Sequence, residues 1–166
     1  LDLPALRHGL SAGEKLPAST LSAWTTATDT PIFEAYGMSE CSTFLSGSPS
    51  KPASADRLGQ PQNGRRLAIL GPDGPVTRGT EGTIAIHRHD QGLMLGYLNA
   101  ADETAAKMQG DWFLTGDQGV MFEDDQISYL GRDDDMMNAG GYRVSPIEVS
   151  RIYWCPRDHS NRGNPS

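Results

Sequence analysis

The sequence predicts an α+β, β-rich fold, and three observations carry that expectation. The 19 glycines and 11 prolines among 166 residues imply many turns and short strands rather than a helical bundle. Apolar runs in the second half are brief, alternate with small or polar residues, and are divided by turn signals at close spacing, the pattern of a small twisted sheet or barrel. Helical periodicity is confined to two short segments. With 37% apolar and 21% charged residues, a chain of this length can bury a core.

In chain order, residues 6–10 read as a short strand and residues 11–14 as a loop. Residues 17–28 form a helix candidate, with Pro17 near its start and Leu21 and Trp24 sharing a face. Residues 32–35 read as a strand, and the Ser-, Pro- and Gly-rich stretch 41–56 as a loop. Residues 65–70 form a strand followed by the turn Gly71-Pro72-Asp73-Gly74. Residues 82–87 alternate as a half-buried strand does, around Ile84 and Ile86. A helix is expected at 102–109, capped by Asp102 and stopped by Gly110. Short strands at 113–114, 119–122 and 126–130 follow, with a turn at 123–125 between the last two. Pro146 could open a final helix at Ile147, which Pro156 cuts short.

Composition also limits function. The net charge of −7, from 14 basic and 21 acidic residues, argues against a non-specific nucleic-acid binder. It permits an anionic small ligand, since a few local arginines can outweigh the global sign. Cys41 and Cys155 are too few and too far apart for a disulfide framework, which fits a reducing cytoplasm. No apolar run approaches the roughly 20 residues that span a bilayer. The opening Leu1-Asp2-Leu3-Pro4 lacks both a signal-peptide pattern and an initiator Met, so the chain reads as beginning in mid-protein.

Three blocks put a hydroxyl, carboxylate or guanidinium beside glycine. In Tyr36-Gly37-Met38-Ser39-Glu40, a tight loop could offer amide donors, Ser39 could donate to a phosphate, and Glu40 could ligate Mg²⁺. In Trp112-Phe113-Leu114-Thr115-Gly116-Asp117, the carboxylate could accept both hydroxyls of a ribose. In Gly131-Arg132-Asp133-Asp134-Asp135, Arg132 could bridge ribose or phosphate oxygens, while the adjacent acids belong on the surface. Gly140-Gly141-Tyr142-Arg143 permits close approach of a ligand and adds a second arginine. Taken singly, the first two blocks read better as ordinary turns and the third as a solvated linker, and the fourth is evenly balanced with a plain hairpin. His87 and His89 flank Arg88 without the further ligands of a zinc site and read as an exposed pair. Trp24, Phe33 and Trp112 read as core.

The order of the blocks is more specific. Ser-Ala-Gly-Glu, Tyr-Gly-Met-Ser-Glu, Leu-Gly-Gln-Pro, Gly-Tyr-Leu-Asn, Trp-Phe-Leu-Thr-Gly-Asp, Gly-Arg-Asp-Asp-Asp and Gly-Gly-Tyr-Arg-Val-Ser-Pro-Ile-Glu-Val succeed one another. Over about positions 5 to 150 this resembles the second half of the AMP-forming acyl-CoA synthetases, the adenylate-forming ligases. The resemblance implies the end of an AMP-binding large domain with a small distorted β-barrel subdomain at 1–131, a hinge at 132–135, the start of a truncated small C-terminal domain at 136–150, and an atypical tail at 151–166.

It also implies roles. Gly13 and Glu14 match the loop against the adenine, and Tyr36, beside Gly37, matches the aromatic residue there. Ser39 stands for the usual phosphate-contacting Thr, and Glu40 for the Mg²⁺-associated carboxylate; these two are the catalytic candidates. Asp117 matches the residue holding both ribose hydroxyls, with Arg132 beside it. Asp134 falls on the hinge, Gly141 along the path of the CoA pantetheine arm, and Arg143 on an arginine directed at the adenylate phosphate. The implied reaction is attack of a carboxylate on the α-phosphate of ATP, then displacement of AMP by a thiol, normally that of CoA, with a domain rotation between the two halves.

This sequence departs from the family in three ways. It has no counterpart of the family's phosphate loop or of its C-terminal catalytic lysine, and after Val149 it does not continue as the expected helix and strand. The tail reads as frameshifted, truncated or divergent. An incomplete ligase, inactive alone and prone to self-association through exposed surface, is therefore the leading expectation. An adenylation domain loading a carrier protein and a non-catalytic AMP-binding remnant are the alternatives. Met38 and residues 41–45 are expected to border the acyl pocket and to favour an apolar acid.

Overall fold

The computed structural model of the chain describes residues 3–54, 56–133, 137–139 and 142–144. Strand β1, Gly9–Ala12, leads through helix α1, Ala18–Thr28, into strand β2, Ile32–Met38. Strands β1 and β2 run parallel, with Ala12 opposite Ala35, so the loop after β1 leaves the sheet beside Tyr36. Pro17 precedes α1 with its ring geometry preset for the first turn. The helix closes on Asp29 in a left-handed conformation whose N–H reaches Thr25 O.

Strand β3, Ser42–Ser46, returns antiparallel to β2, and β4, Gln60–Pro61, extends the sheet in the order β1-β2-β3-β4. The expectation of a loop from residue 41 fails here. Phe44 and Leu45 are fully buried, and that burial outweighs the loop-like composition around them. The tyrosine block is also not a loop. It continues β2 to Met38, and the turn falls on residues 39–41. Gly37 is needed because a Cβ there would lie 2.1 Å from Ser42 O across the strand pair.

The second sheet contains β5, Leu67–Gly71; β6, Gly74–Pro75; and β7, Glu81–His87. After helix α2, Ala101–Ala106, come β8, Met108–Gln109; β9, Trp112–Met121; and β10, Ile127–Arg132. Its order is β10-β9-β7-β5-β6, with β8 on β9. Pro72 and Asp73 form the expected hairpin turn, with Gly71 opposite Gly74. The strands expected at 113–114 and 119–122 are one continuous β9. Helix α2 is shorter than expected. Its N-cap is Ala100, Asp102 lies in the first turn, and Gly110 turns β8 into β9 instead of stopping the helix. Beyond β10, β11 (Met137–Ala139) and β12 (Tyr142–Val144) pair antiparallel.

One core joins the sheets. Cys41, Phe44 and Leu45 of the first pack with Ile69, Ile84, Ile86, Met121 and Ile127 of the second. The backbone at residues 58–59 bridges them, with Leu58 N donating to Ile127 O at 2.8 Å and Ile127 N to Gly59 O at 3.0 Å. Trp24, Phe33 and Trp112, expected in the core, are half-buried around its margin. The fold is β-rich with few helices, as the composition implied.

Candidate functional site

Two of the three blocks meet at one carboxylate, and the third supplies its arginine. Asp117 lies in β9 and is only 5% exposed. Tyr36, arriving on β2, donates its hydroxyl to Asp117 Oδ2. Arg132, opposite Asp117 in the β9–β10 register, approaches Oδ1 at 3.4 Å while its own side chain stays 42% exposed. The pairing slips between Tyr129 and Gly131, a bulge that resets which side chains oppose β9 just before Arg132.

The support beneath is specific. Thr115 donates its hydroxyl to Ile84 O at 2.7 Å and accepts the Asp117 N–H at 3.1 Å. Gly116 has φ 81, a left-handed conformation costly for other residues. A Cβ there would sit 3.2 Å from Arg132 Nη2. The Tyr36 ring packs edge-on against Phe44, centroids 5.5 Å apart, and lies 5.8 Å from Tyr129. Burial first, then the hydrogen bond to Asp117, raises the Tyr36 pKa well above its ordinary 10.0, so the phenol stays a donor.

Glu40 sits apart, in the turn after β2. Its Oε1 accepts the Tyr97 hydroxyl at 2.8 Å, and its backbone oxygen accepts Met94 N–H at 2.6 Å. The bond to Glu40 is also the main reason the Tyr97 pKa lies above 10.0. Next to Glu40, Cys41 O accepts a hydrogen bond from Arg65, whose guanidinium pairs with the fully buried Asp90 carboxylate at 3.3 Å. Burial pushes the Cys41 thiol up to about 12.

Other candidates are placed less fully. Ser39 is exposed in the same turn as Glu40. Gly13 and Glu14 are exposed; Gly13, φ 103, follows β1 at the end where Tyr36 emerges. Asp134 and Gly141 lie outside the described residues, as do the side chain of Arg143, the helix expected at Ile147 and the tail. Cys41, Phe44 and Leu45 are fully buried in the core. His87 and His89 are not strand mates: His89 follows the end of β7, and its N–H donates to His87 Nδ1 at 3.2 Å. Among the described residues no group of three or more His, Cys, Asp or Glu could hold a metal unaided.

Sequence reasoning missed Tyr97 and the Arg65–Asp90 pair. Gly96-Tyr97 belonged to a recognised block, but nothing local joins it to Glu40, 57 positions away. The depression of about 400 Å³ bordered by Thr83, Gln109, Gln118 and Asp133 also has no local sequence signal.

Solved structures place this geometry in a class. The chain superposes on the anthranilate CoA ligase AuaEII in complex with anthranoyl-AMP with TM-score 0.72 at 32% identity, covering 93% of this chain and 30% of that one. ATP-bound MatB from Rhodopseudomonas palustris gives 0.75 at 27% identity, covering 89% and 30%. The O-succinylbenzoate coenzyme A synthetase of Bacillus subtilis, with ATP and magnesium ion, gives 0.73 at 25%, covering 92% and 32%. The fold is that of the adenylate-forming ligases.

The family model for AMP-binding enzymes matches residues 1–98, and this chain belongs to that family. It is 34% identical over 150 residues to the human mitochondrial acyl-coenzyme A synthetase ACSM2B and 37% over 152 residues to rat mitochondrial ACSM5. It covers 26% of the length of each. Among the described residues no helix is long and apolar enough to cross a membrane.

Proposed function

We propose that this chain carries the nucleotide-holding part of an AMP-forming acid–CoA ligase. The observation that supports it is the convergence of Tyr36 and Arg132 on the buried Asp117, although Tyr36 and Asp117 are 81 positions apart. An acid held between a phenol and a guanidinium is oriented, as an acceptor for a ribose diol must be. Relatives whose names specify CoA ligases, and neighbours solved with ATP, magnesium ion or an acyl-AMP, agree with that use.

The roles follow from position. Asp117 accepts the ribose hydroxyls, and Tyr36 gives way or shares as they arrive. Arg132, half-exposed, turns toward the ribose or phosphate, and Gly13 and Glu14 border the adenine. Glu40 fits Mg²⁺ as a single carboxylate completed by phosphate oxygens and water, the mode magnesium prefers. When bound, that ion would neutralise charge on the phosphates. Ser39 donates to a phosphate oxygen. Arg143, Gly141 and Asp134 keep their proposed phosphate, CoA and hinge roles, with the hinge at 132–135 between large and small domains.

Alone, the 166 residues are expected to bind AMP weakly and to catalyse no ATP–pyrophosphate exchange. Calorimetry with AMP and the Asp117→Ala variant tests the site. Wild-type binding abolished by the substitution supports it, and undetectable wild-type binding favours a non-catalytic interaction remnant over both the ligase site and an AMP-binding remnant. Robust exchange with a panel of carboxylic acids would overturn the inactivity, and comparison of CoA with a phosphopantetheinyl carrier identifies the acceptor. Exposed Leu10, Leu95 and Leu98 support self-association, which a monomer in light scattering would contradict. The cytoplasm remains the proposed compartment, with mitochondria, as for the relatives, decided by fractionation of the source cells.

A further inference from the structure

Glu40 stands half-buried in a turn between exposed Ser39 and buried Cys41, where a carboxylate would ordinarily sample several rotamers. Here one oxygen is taken by the Tyr97 hydroxyl at 2.8 Å, and the backbone on either side of its carbonyl is held by other groups. Met94 N–H binds the Glu40 carbonyl at 2.6 Å, and Arg65 binds the next carbonyl, that of Cys41.

Those donors share one frame. Asp90, whose side chain is fully buried, pairs with Arg65 at 3.3 Å and accepts N–H groups from Arg66 at 2.7 Å and Gly92 at 2.8 Å. Leu93 N–H closes onto Asp90 O at 3.1 Å. The loop from Asp90 is thereby fixed at its root. Its far end is fixed by α2: Tyr97 N–H donates to Thr104 Oγ1 at 2.9 Å, and that hydroxyl donates to Ala100 O at 2.9 Å.

Apolar burial holds only the root of this loop, where Leu93 packs against the core. Leu95 is 106% exposed and Leu98 91%, while Tyr97 between them is partly covered and directs its hydroxyl to Glu40. Beyond that root, the polar side-chain contact that ties the loop to the turn after β2 is the one from Tyr97 to Glu40.

We propose that Tyr97 is a positioning residue for Glu40, holding Oε1 so that the carboxylate meets a nucleotide-bound divalent cation in one orientation, with the Arg65–Asp90 pair as the anchor of the loop that carries it. This rests on the nucleotide-site reading above and extends it to a residue outside the ribose cluster. A prealigned carboxylate loses less rotamer freedom on binding, which raises affinity only for the ligand that uses it.

The test compares AMP in EDTA with ATP in EDTA and with ATP plus Mg²⁺, by calorimetry on the whole chain. Tyr97→Phe keeps the ring and removes the hydroxyl. The expected result is AMP affinity within about twofold of wild type and a Mg²⁺-dependent gain for ATP reduced about tenfold, about 1.4 kcal/mol. Glu40→Gln should remove the same gain, and Tyr97→Phe added to it should change nothing further. Asp90→Asn should reduce the gain in the same direction with unchanged AMP affinity, and a thermal melt of each variant separates this from unfolding. An undiminished Mg²⁺ gain in Tyr97→Phe, with AMP still bound, overturns the positioning role alone. Absence of AMP binding in the folded wild-type chain overturns the nucleotide-site reading and this inference with it.

Discussion

Asp117 and Glu40 are both acids in glycine-flanked motifs, but their surroundings differ in kind. Asp117 is buried, gripped through both oxygens by side chains from two other strands, and rests on a threonine that reaches a third. Glu40 sits in a turn and is held through one oxygen by a loop tyrosine. The first is part of the joint between the two sheets, so its geometry is enforced by the core. The second is set by hydrogen bonds whose donors are themselves hydrogen-bonded. The Asp117 cluster is therefore inseparable from folding, whereas the Glu40 contact can be altered with the fold intact.

The comparison can be broken most severely at the joint. Phe44→Ala removes the fully buried ring against which Tyr36 packs, and should cost about 3–5 kcal/mol in chemical denaturation. AMP binding should go with it, and retention of binding at that cost would show that the site does not depend on the core.

Asp117→Ala should cost roughly 1–3 kcal/mol, because it strands the largely buried Tyr36 hydroxyl, while the half-exposed Arg132 can turn to water. A cost below about 0.5 kcal/mol would place Asp117 on the same footing as Glu40.

The Tyr36 phenol gives a pH test. Its pKa is raised in the fold above the unfolded 10.0, so its contribution to stability is intact below pH 10.0 and is lost as pH rises from there through the folded value. Tyr36→Phe should lack that part of the alkaline loss, and denaturation curves of the two proteins should converge above pH 10.0. Parallel curves would show that the fold does not raise the phenol's pKa. The smallest effect is expected at the turn: Glu40→Gln should change stability by under about 0.5 kcal/mol, read from the thermal midpoint, while changing Mg²⁺-dependent binding.

The same contrast decides what could be read from the sequence. Tyr36, Glu40, Asp117 and Arg132 stand out as candidates because their motifs are contiguous and ordered, and three of them, Tyr36, Asp117 and Arg132, meet in the fold. The turns at 71–74 and 123–125 and the helix α1 were legible because Gly, Pro and periodicity act locally. Strand β3 was not, since Phe44-Leu45 is a short apolar pair inside a Ser- and Gly-rich stretch and only its burial against the second sheet makes it a strand. The tyrosine block was taken for a loop on the strength of Gly37, whose purpose is close strand approach. The bonds from Tyr36 to Asp117 and from Tyr97 to Glu40 join residues 81 and 57 positions apart, a distance over which no local pattern carries information.

That separation has a kinetic side. The parallel β1 and β2 are linked by one helix and can form early from nearby residues, as can the β5–β6 hairpin. The Tyr36–Asp117 bond closes a loop of 81 positions and must await the docking of the two sheets. The Tyr36–Asp117 cluster, proposed above as the nucleotide site, should thus be among the last features to appear on refolding and among the first to disappear on partial opening. A fluorescent nucleotide added during refolding would report completion of the fold, lagging behind the signal of the strands themselves.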